Sequence, residues 1–392
     1  MSSIIRLADI LTASFGDYLN KYGPLPLGHY RAVNAIMKCR TEALGHHQYE
    51  CENCHESQTH FHSCRNRHCP RCQGYASMQW VQSRVNEMLP VSYFHAVFTV
   101  PSELNPFVLR NKKVMYSMLF SAVKNTLLQL ASQEKWLGAR IGFTAVLHTW
   151  GQALMDHPHL HCIIPAGGLR NKDGRWKHCK NDFFAPVAVM QQVYRGKFME
   201  LFRLAVSRQE IKFHGILQEY EILGKLEELT GSLYRKTWVV YIKPSFASPQ
   251  GVLSYLGNYT HRIAISEKRI LSFQGGKVTF AYTDYRDESK RKTMTLTAVE
   301  FIRRFLLHVL PAGFMRIRHF GLFSNRDRTE HINLCRKLLG EYVIAAKDAL
   351  ISWWEQIIER NGKNPLICPV CDKGLLKLIS VYPVRRGVQM VT

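Results

Sequence analysis

Two histidines flank a single leucine at His159-Leu160-His161, in a segment rich in apolar residues. In a β-strand, side chains two positions apart share a face, so both imidazoles would point the same way while Leu160 packs behind them. Two imidazoles on one face can bind a divalent metal, although a pair of hydrogen-bonded histidines fits the same pattern. The spacing predicts a metal site carried by a strand.

A catalytic metal site needs a third ligand near this pair. Gln152 is the first choice, because it lies on the approach to the strand and its amide oxygen suits a hard cation. Asp156 is the second choice, and His157 alternates onto the same face as the pair. A shell of two histidines and a glutamine predicts Mn²⁺ or Mg²⁺, with positions left open for phosphate oxygens.

Two tyrosines, Tyr255 and Tyr259, lie four positions apart. On a helix they would share a face and approach the same phosphate in turn. A phenol is a weak nucleophile at its ordinary pKa of about 10, so a metal would have to polarise the phosphate that it attacks. The pair predicts catalytic tyrosines that form a covalent phosphotyrosine, although core aromatics can have the same spacing.

The chain has eleven cysteines, many of them in C-x-x-C pairs. In an intracellular protein such pairs indicate metal binding rather than disulfides. Two pairs joined by a short connector predict one structural zinc ion with four thiolate ligands, Cys51, Cys54, Cys69 and Cys72. Three connector residues compete as ligands or point to a second ion: His62, Cys64 and His68.

A further pair, Cys368 and Cys371, is half of a possible second zinc site near the end of the sequence. The residues that could complete it are His319, His331 and Cys335, and two free thiols are the alternative. The remaining cysteines are interpreted as structural: Cys39, Cys162 and Cys179.

Positive charge dominates the sequence. Lysine and arginine total 52 and aspartate and glutamate total 30, which gives a formal net charge of +22. A surplus of this size is usually matched by nucleic acid. Arg65, Arg67 and Arg262 lie beside the predicted zinc and tyrosine sites and are the candidate DNA contacts. No apolar run approaches the roughly 18 residues of a membrane helix, and no signal peptide is evident, so we expect a cytoplasmic, nucleoid-associated protein.

The elements that would position these residues alternate between strands and helices. Strands are predicted at 94–100, 141–148, 159–165 and 237–242, with a hairpin at 278–282 and 292–296. Helices are predicted within 1–45, at about 106–133, within 185–230 and at 250–260. Residues 46–74 contain too few aliphatic side chains for a core of their own. The pattern predicts a mixed α/β protein.

The zinc, histidine and tyrosine motifs occur together in one order, which closely resembles the transposases of the insertion-sequence-91 family, within the HUH endonuclease superfamily. The resemblance spans nearly the whole chain and lies in residues 51–72, 98–101, 157–162, 255–262 and 316–322. It implies an α+β fold with an HUH core, in which helices flank a central antiparallel sheet. A helical zinc-binding module would precede this core and a basic region would follow it.

The resemblance also implies an activity. His159 and His161 would bind Mg²⁺ or Mn²⁺, with Gln152 in the third ligand position. Tyr255 and Tyr259 would cleave single-stranded transposon ends and target DNA through 5′-phosphotyrosine links, and the element would move by a rolling-circle route. The sequence has no G-x-x-x-x-G-K-[ST] phosphate loop, so strand separation would need a host helicase or a substrate that is already single-stranded.

Three domains are expected: a DNA-binding zinc module over 1–90, the tyrosine nuclease over 91–310 and the basic region over 311–392. Two other functions remain open. A replication initiator or relaxase would use the same active-site chemistry. A zinc-finger regulator without catalysis would bind DNA and leave it intact.

Overall fold

The computed structural model describes residues 4–85, 87–180, 184–222, 224–246, 263–285, 287–340, 358 and 362–383. The helices among them are α1 (Leu7–Tyr22), α2 (Leu27–Met37), α3 (Pro70–Val85), α4 (Asn105–Arg110), α5 (Lys112–Ser132), α6 (Val187–Ser207), α7 (Lys225–Arg235), α8 (Ala298–Leu307) and α9 (Arg328–Leu338). The strands are β1 (His46–Cys51), β2 (Ser57–Phe61), β3 (Tyr93–Thr99), β4 (Ala139–Arg140), β5 (Gly142–Trp150), β6 (Asp156–Pro165), β7 (Gly167–Arg170), β8 (Trp176–His178), β9 (Val240–Phe246), β10 (Ile270–Gln274), β11 (Lys277–Asp284), β12 (Lys290–Thr297), β13 (Ile317–Gly321) and β14 (Leu376–Tyr382). The protein is mixed α/β, as the sequence predicts.

A five-stranded sheet occupies the middle of the chain, in the order β13-β5-β6-β3-β9. Every neighbouring pair in it is antiparallel. The strands predicted at 94–100, 141–148, 159–165 and 237–242 are β3, β5, β6 and β9, of which the last begins at Val240. This sheet carries the predicted histidine pair on its third strand.

The two faces of this sheet differ because side chains alternate along each strand. On β6, Leu160, Cys162 and Ile164 are fully buried in the main hydrophobic cluster, which also holds the apolar faces of α5 and α6. His159 and His161 alternate with them and therefore lie on the opposite face. The helices thus cover one face of the sheet and leave the histidines on the other.

A second cluster packs the N-terminal helices against the hairpin that was predicted at 278–296. α1 and α2 bury Leu7, Ile10 and Val33 in the same cluster as Phe280 of β11 and Phe301 of α8. The strands β10, β11 and β12 form a three-stranded antiparallel sheet beneath α8. The N-terminal helices therefore share their core with residues 264–309 and do not form a body of their own.

A small third sheet joins distant parts of the sequence. Its order is β14-β1-β2, with β1 in the centre and both pairings antiparallel. Cys51 at the end of β1 lies opposite Leu376 at the start of β14, and His46 lies opposite Tyr382. We call this sheet, with the turns at its cysteine end, the ribbon (46–61 and 366–382). In the ribbon, the last described strand, β14, pairs with β1 of the N-terminal hairpin.

The division into three domains at 90 and 311 stays a prediction, but strand pairing crosses the boundary at 311. β13 lies beyond 311 yet pairs with β5 in the central sheet. β14 lies beyond 311 and pairs with β1. Residues that the sequence assigned to one C-terminal region therefore belong to two different sheets, because strand pairing brings together segments that are far apart in sequence.

None of the helices that the structure describes has the length and apolar character needed to span a membrane.

Candidate functional site

Three histidine side chains meet on the sheet face opposite α5 and α6. His159 and His161 come from β6, and His148 comes from β5, where it pairs with His159 across the two strands. One ring nitrogen from each lies within 4.8 Å of the others, and the Nε2 atoms of His159 and His161 are 3.1 Å apart. Adjacent donors of an octahedral ion with bonds of about 2.1 Å lie about 3.0 Å apart. The three rings can therefore share one metal ion.

Neighbouring groups orient two of these rings. The Nδ1 atom of His159 lies 2.6 Å from the carbonyl oxygen of His157. A carbonyl only accepts, so Nδ1 carries the proton and the Nε2 lone pair is free. The Nδ1 atom of His161 lies 2.9 Å from Nε2 of His95. When His161 donates to His95, its Nε2 lone pair is also available to a metal, which is the usual arrangement behind a ligating histidine.

The protonation states suit metal binding. Burial lowers the pKa of His159 to about 3. Burial also lowers the pKa of His95 to about 4, with a smaller contribution from the positive charge of Lys243. Both rings are therefore neutral near pH 7. A neutral His159 can bind a metal, and a neutral His95 can accept a hydrogen bond from Nδ1 of His161.

The third nitrogen of this cluster was not predicted. His148 supplies it, whereas Gln152 lies in the turn between β5 and β6 and donates its side-chain amide to the hydroxyl of Tyr285, at 3.2 Å. The signal for His148 was present in the sequence, since a hairpin that turns near residues 151–155 places it opposite His159. His157, predicted on the same face, is exposed and contributes its carbonyl group to His159.

Asp156, the second choice for the third ligand, lies on the opposite face of β6. Its neighbours are Lys112 and Tyr116 of α5, and its carboxylate oxygens accept no hydrogen bond from the described residues. Burial raises the pKa of Asp156 to about 7, and the positive charge of Lys112 partly opposes this. The side chain cannot reach the histidines, because strand geometry directs residues 156 and 159 to different faces.

Three predicted site residues, Tyr255, Tyr259 and Arg262, lie outside the described residues. The described chain resumes at Ile263, which lines a small cavity with Trp150 and His308. The ring of Trp150 stacks on His148, with centroids 4.7 Å apart. Ile263, which follows the tyrosine segment, therefore lines a cavity together with the side chain that stacks on His148.

Four thiols of the N-terminal region form one cluster, but they are not the four that were predicted. The Sγ atom of Cys39 lies 3.5 Å from that of Cys72 and 3.6 Å from that of Cys69, and Cys64 lies 3.6 Å from Cys72. Sulfurs around a tetrahedral zinc ion with bonds of about 2.3 Å lie about 3.8 Å apart. The cluster has the dimensions of a zinc site.

The structure does not bring the predicted combination of Cys51 and Cys54 with Cys69 and Cys72 together, and places the two pairs in different clusters. Cys51 and Cys54 lie at the turn that joins β1 to β2, whereas Cys69 directly precedes α3 and Cys72 lies in its first turn, beyond the open end of that hairpin. A five-residue strand such as β2 spans about 17 Å, so the two pairs cannot bind one ion. Cys39, which was interpreted as structural, and Cys64, a predicted competitor, complete the cluster instead.

The second cluster consists of Cys51, Cys54, Cys368 and Cys371. The residues predicted to complete the C-terminal pair are elsewhere: His319 bonds Thr144 through Nδ1 at 2.9 Å, and Cys335 is buried beside Leu322. His331 lies 3.5 Å from a guanidinium nitrogen of Arg140. The N-terminal pair and the C-terminal pair thus complete one another.

The predicted DNA-contacting arginines have different environments. Arg65 is exposed. Arg67 is half-buried, and its guanidinium donates to the carbonyl oxygens of Phe314 at 2.6 Å, Pro311 at 2.7 Å and Leu310 at 3.3 Å. Arg67 therefore ties the N-terminal region to residues 310–314, and its donors are used within the protein.

Two family models match the chain. One, described as "Transposase zinc-binding domain", matches residues 10–100, which include the first thiol cluster. The other, described as "Putative transposase", matches residues 142–330, which include the histidine cluster. Both models describe transposases, so the zinc-binding region and the sheet belong to one DNA-cleaving enzyme class.

Two relatives support this result, one of them over nearly the whole length. A protein of Sinorhizobium fredii named "Putative transposase y4qJ" is 41% identical over 379 residues, covering 96% of this chain and 95% of the relative. The transposase for insertion sequence element IS801 of Pseudomonas savastanoi pv. phaseolicola is 27% identical over 300 residues, covering 75% of this chain and 70% of the relative. No solved structure matches. The chain belongs to the insertion-sequence-91 family of transposases.

Proposed function

We propose that this transposase cleaves and rejoins single-stranded DNA at the ends of its element through 5′-phosphotyrosine intermediates, in a rolling-circle route. The observation that carries the proposal is the histidine cluster on the central sheet. His148, His159 and His161 direct ring nitrogens to one point, and the partners of His159 and His161 keep their Nε2 lone pairs available. An antiparallel sheet that presents such a cluster fits an HUH endonuclease core.

The donor set suits a divalent ion with open coordination positions. Three neutral imidazoles leave room for the oxygens of a phosphate, and an all-nitrogen set favours Mn²⁺ over Mg²⁺. A metal bound there would act as a Lewis acid toward the scissile phosphate. Gln152 remains a proposed additional ligand, which would first have to release the hydroxyl of Tyr285.

The proposed nucleophiles are Tyr255 and Tyr259. The phenol gives up its proton as its oxygen attacks phosphorus, the bond from phosphorus to the 3′ oxygen breaks, and that oxygen takes up one proton as the free 3′ hydroxyl. The phosphate ester with tyrosine keeps the energy of the broken bond, so a 3′ hydroxyl of another strand can reverse the step and rejoin DNA. Ile263 shares a cavity with Trp150, whose ring stacks on His148, and this supports the proposal that these tyrosines belong to the same site.

DNA binding is proposed to rest on unpaired positive charge outside the core. The net charge of +22 and exposed Arg65 support phosphate contacts, and Arg262 is a further proposed contact. A single-stranded substrate follows from the proposed chemistry, and a host helicase would supply it where DNA is double-stranded. Cys39, Cys64, Cys69 and Cys72 are proposed to hold a structural zinc ion that fixes this region.

The decisive test is a cleavage assay with single-stranded oligonucleotides that carry the ends of the element, with Mn²⁺ or Mg²⁺, analysed on a denaturing gel. We expect a covalent adduct of protein and DNA that requires metal. It should be lost in His159→Ala and in the double variant Tyr255→Phe/Tyr259→Phe, and each single tyrosine variant should lose one of the two joining steps.

Matched controls are His178→Ala and Tyr22→Phe, which change exposed residues outside the site. Both should form the adduct at the wild-type level. Binding without cleavage by the wild-type protein, with either metal, would overturn the proposal and favour a regulator that binds DNA without catalysis. The same strands offered as a duplex should not be cleaved.

A further inference from the structure

The four thiols of the ribbon have the spacing of metal ligands although they come from opposite ends of the sequence. The Sγ atoms of Cys51 and Cys371 lie 3.6 Å apart, and those of Cys54 and Cys368 lie 3.8 Å apart. Sulfurs bound to one tetrahedral zinc ion lie about 3.8 Å apart, whereas a disulfide bond would bring them to about 2.05 Å. The distances fit a shared ion and exclude disulfide bonds.

The two C-x-x-C segments adopt the same turn. In the first, His55 has a φ of +58° and donates its backbone N–H to the carbonyl of Cys51 at 3.0 Å. In the second, Asp372 has a φ of +53° and donates to the carbonyl of Cys368 at 2.9 Å. A residue other than glycine adopts positive φ at some energetic cost. Two independent segments have therefore been shaped into the same metal-binding turn.

Backbone N–H groups also point at the sulfurs. The N–H of Asn53 lies 3.4 Å from Sγ of Cys51, and the N–H of Gly374 lies 3.4 Å from Sγ of Cys371. Such donors stabilise a thiolate, which is the form that binds metal. Each segment thus provides a backbone N–H group that partly offsets the negative charge of a four-thiolate site.

The segments approach so closely that one position must be glycine. A Cβ atom on Gly374 would lie 2.5 Å from Sγ of Cys51 and 2.6 Å from Cβ of Asn53. Neither neighbour is the free end of a flexible side chain, so even alanine would push the two segments apart. Gly374 therefore allows the contact that brings the two cysteine pairs together.

The apolar contacts around this cluster are few. The buried residues are Cys51, Cys368 and Leu376, with Tyr49 and Cys371 packed beside them. A core this small does not stabilise a three-stranded sheet in water, and small domains of this kind depend on a metal. Ion binding would provide the missing free energy.

We propose that Cys51, Cys54, Cys368 and Cys371 bind a second structural zinc ion, which fastens the C-terminal strand β14 onto the N-terminal hairpin. Four thiolates leave no open position, so this ion serves structure and not catalysis. The site is separate from the cluster of Cys39, Cys64, Cys69 and Cys72, and half of its ligands lie beyond the residues matched by the zinc-binding family model. The chain would then carry two zinc ions.

The first experiment measures zinc bound to the purified full-length protein by elemental analysis. The wild-type protein should contain two zinc ions per chain and the variant Cys368→Ser/Cys371→Ser should contain one. Cys179→Ser changes a half-buried cysteine outside both clusters and should retain two. One zinc ion in the wild-type protein, or two in the double variant, would overturn the proposal.

Because the double variant can fail to fold, the wild-type protein provides an independent test by alkylation and mass mapping of its cysteines. Cys54 is exposed, so it should react quickly unless a metal holds its sulfur. We expect Cys54 and Cys371 to be protected as purified and to become reactive after a chelator is added. Rapid alkylation of Cys54 in the zinc-loaded protein would contradict the proposal.

A third variant tests the contact without removing a ligand. Gly374→Ala should lower bound zinc from two ions to one, since the added Cβ separates the cysteine pairs. Gly196→Ala adds the same atom to a helix position with open space around it and should leave both ions in place. Retention of both ions by Gly374→Ala would mean that the two pairs do not share an ion.

Discussion

The rings of His95 and His161 lie 7° from parallel, with Nε2 of His95 2.9 Å from Nδ1 of His161. His95 is on the neighbouring strand β3 and is buried, so it holds the ring of the proposed ligand from behind. Loss of such a partner typically weakens metal binding by about 10- to 100-fold. We therefore propose His95 as a positioning residue, which the sequence motif did not reveal.

We predict that His95→Phe lowers the affinity for Mn²⁺ by about 10- to 100-fold, as measured by calorimetry, because the Nδ1 proton of His161 loses its acceptor. His95→Gln offers an amide oxygen to the same proton and should retain more of the affinity. His178→Ala should bind as the wild type does. Equal binding by His95→Phe and the wild-type protein would show that His95 does not orient the ligand.

The third metal ligand can be assigned by comparing two substitutions. His148→Ala should abolish detectable Mn²⁺ binding, because it removes one of three clustered ring nitrogens. Gln152→Ala should lower the affinity by less than about tenfold, since its side chain is bonded to Tyr285. The reverse order of effects, measured by the same titration, would assign the third position to Gln152.

Asp156→Asn should change the pH dependence of stability. The folded-state pKa of Asp156 is about 7, above its ordinary value of 3.8, because burial disfavours the charged carboxylate. Its protonated form therefore stabilises the fold at low pH, and this contribution is lost as the pH rises toward and past 7. At about 1.36 kcal/mol per pKa unit, the loss is at most about 4 kcal/mol.

The measurement for Asp156→Asn is the melting temperature at pH 5 and pH 8. The melting temperature of the variant minus that of the wild-type protein should be larger at pH 8 than at pH 5. Asp17→Asn, on the exposed side of α1, is the matched control and should show no such difference. An Asp156→Asn effect that is the same at both pH values would mean that the carboxylate is already charged at pH 5.

Arg67→Ala should lower thermal stability. Its guanidinium donates to three carbonyl oxygens of residues 310–314, and hydrogen bonds from a charged group contribute about 1.5–3 kcal/mol. Arg67→Lys keeps the positive charge but replaces the planar guanidinium by a single ammonium group. It should therefore recover only part of the lost thermal stability. Unchanged melting of Arg67→Ala would show that these bonds contribute nothing net.

Arg65→Ala should affect DNA binding and leave thermal stability unchanged. Because Arg65 is exposed, its removal should leave the melting temperature unchanged and weaken single-stranded DNA binding at low salt. The slope of log K against log salt should become shallower by about one unit if Arg65 neutralises one phosphate. A slope equal to that of the wild-type protein would remove Arg65 from the DNA-binding surface.

The positions of the strands followed well from the sequence because their signals are local. The alternation of Leu160, Cys162 and Ile164 with His159 and His161 is visible in the printed residues, and burial on one face enforces it. The role of His148 was missed because it depends on the register between β5 and β6, which no single strand reveals.

The cysteine grouping failed for a related reason. Neighbouring C-x-x-C pairs were combined because they are close in sequence, yet the β1–β2 hairpin separates Cys54 from Cys69. The true neighbours of Cys51 and Cys54 lie more than 300 positions away, at Cys368 and Cys371. Spacing along a chain indicates which residues are ligands, and only pairing in space indicates which ligands belong together.

The location of β14 also fixes the order in which this protein can be assembled during synthesis. β1 is the central strand of the ribbon, and its second neighbour, β14, is synthesised only after residues 52–375. Until then β1 has a free edge, which is open to pairing with other chains. A copy of the element with a premature stop codon before Cys368 would keep both family-matched regions and still produce a transposase prone to association.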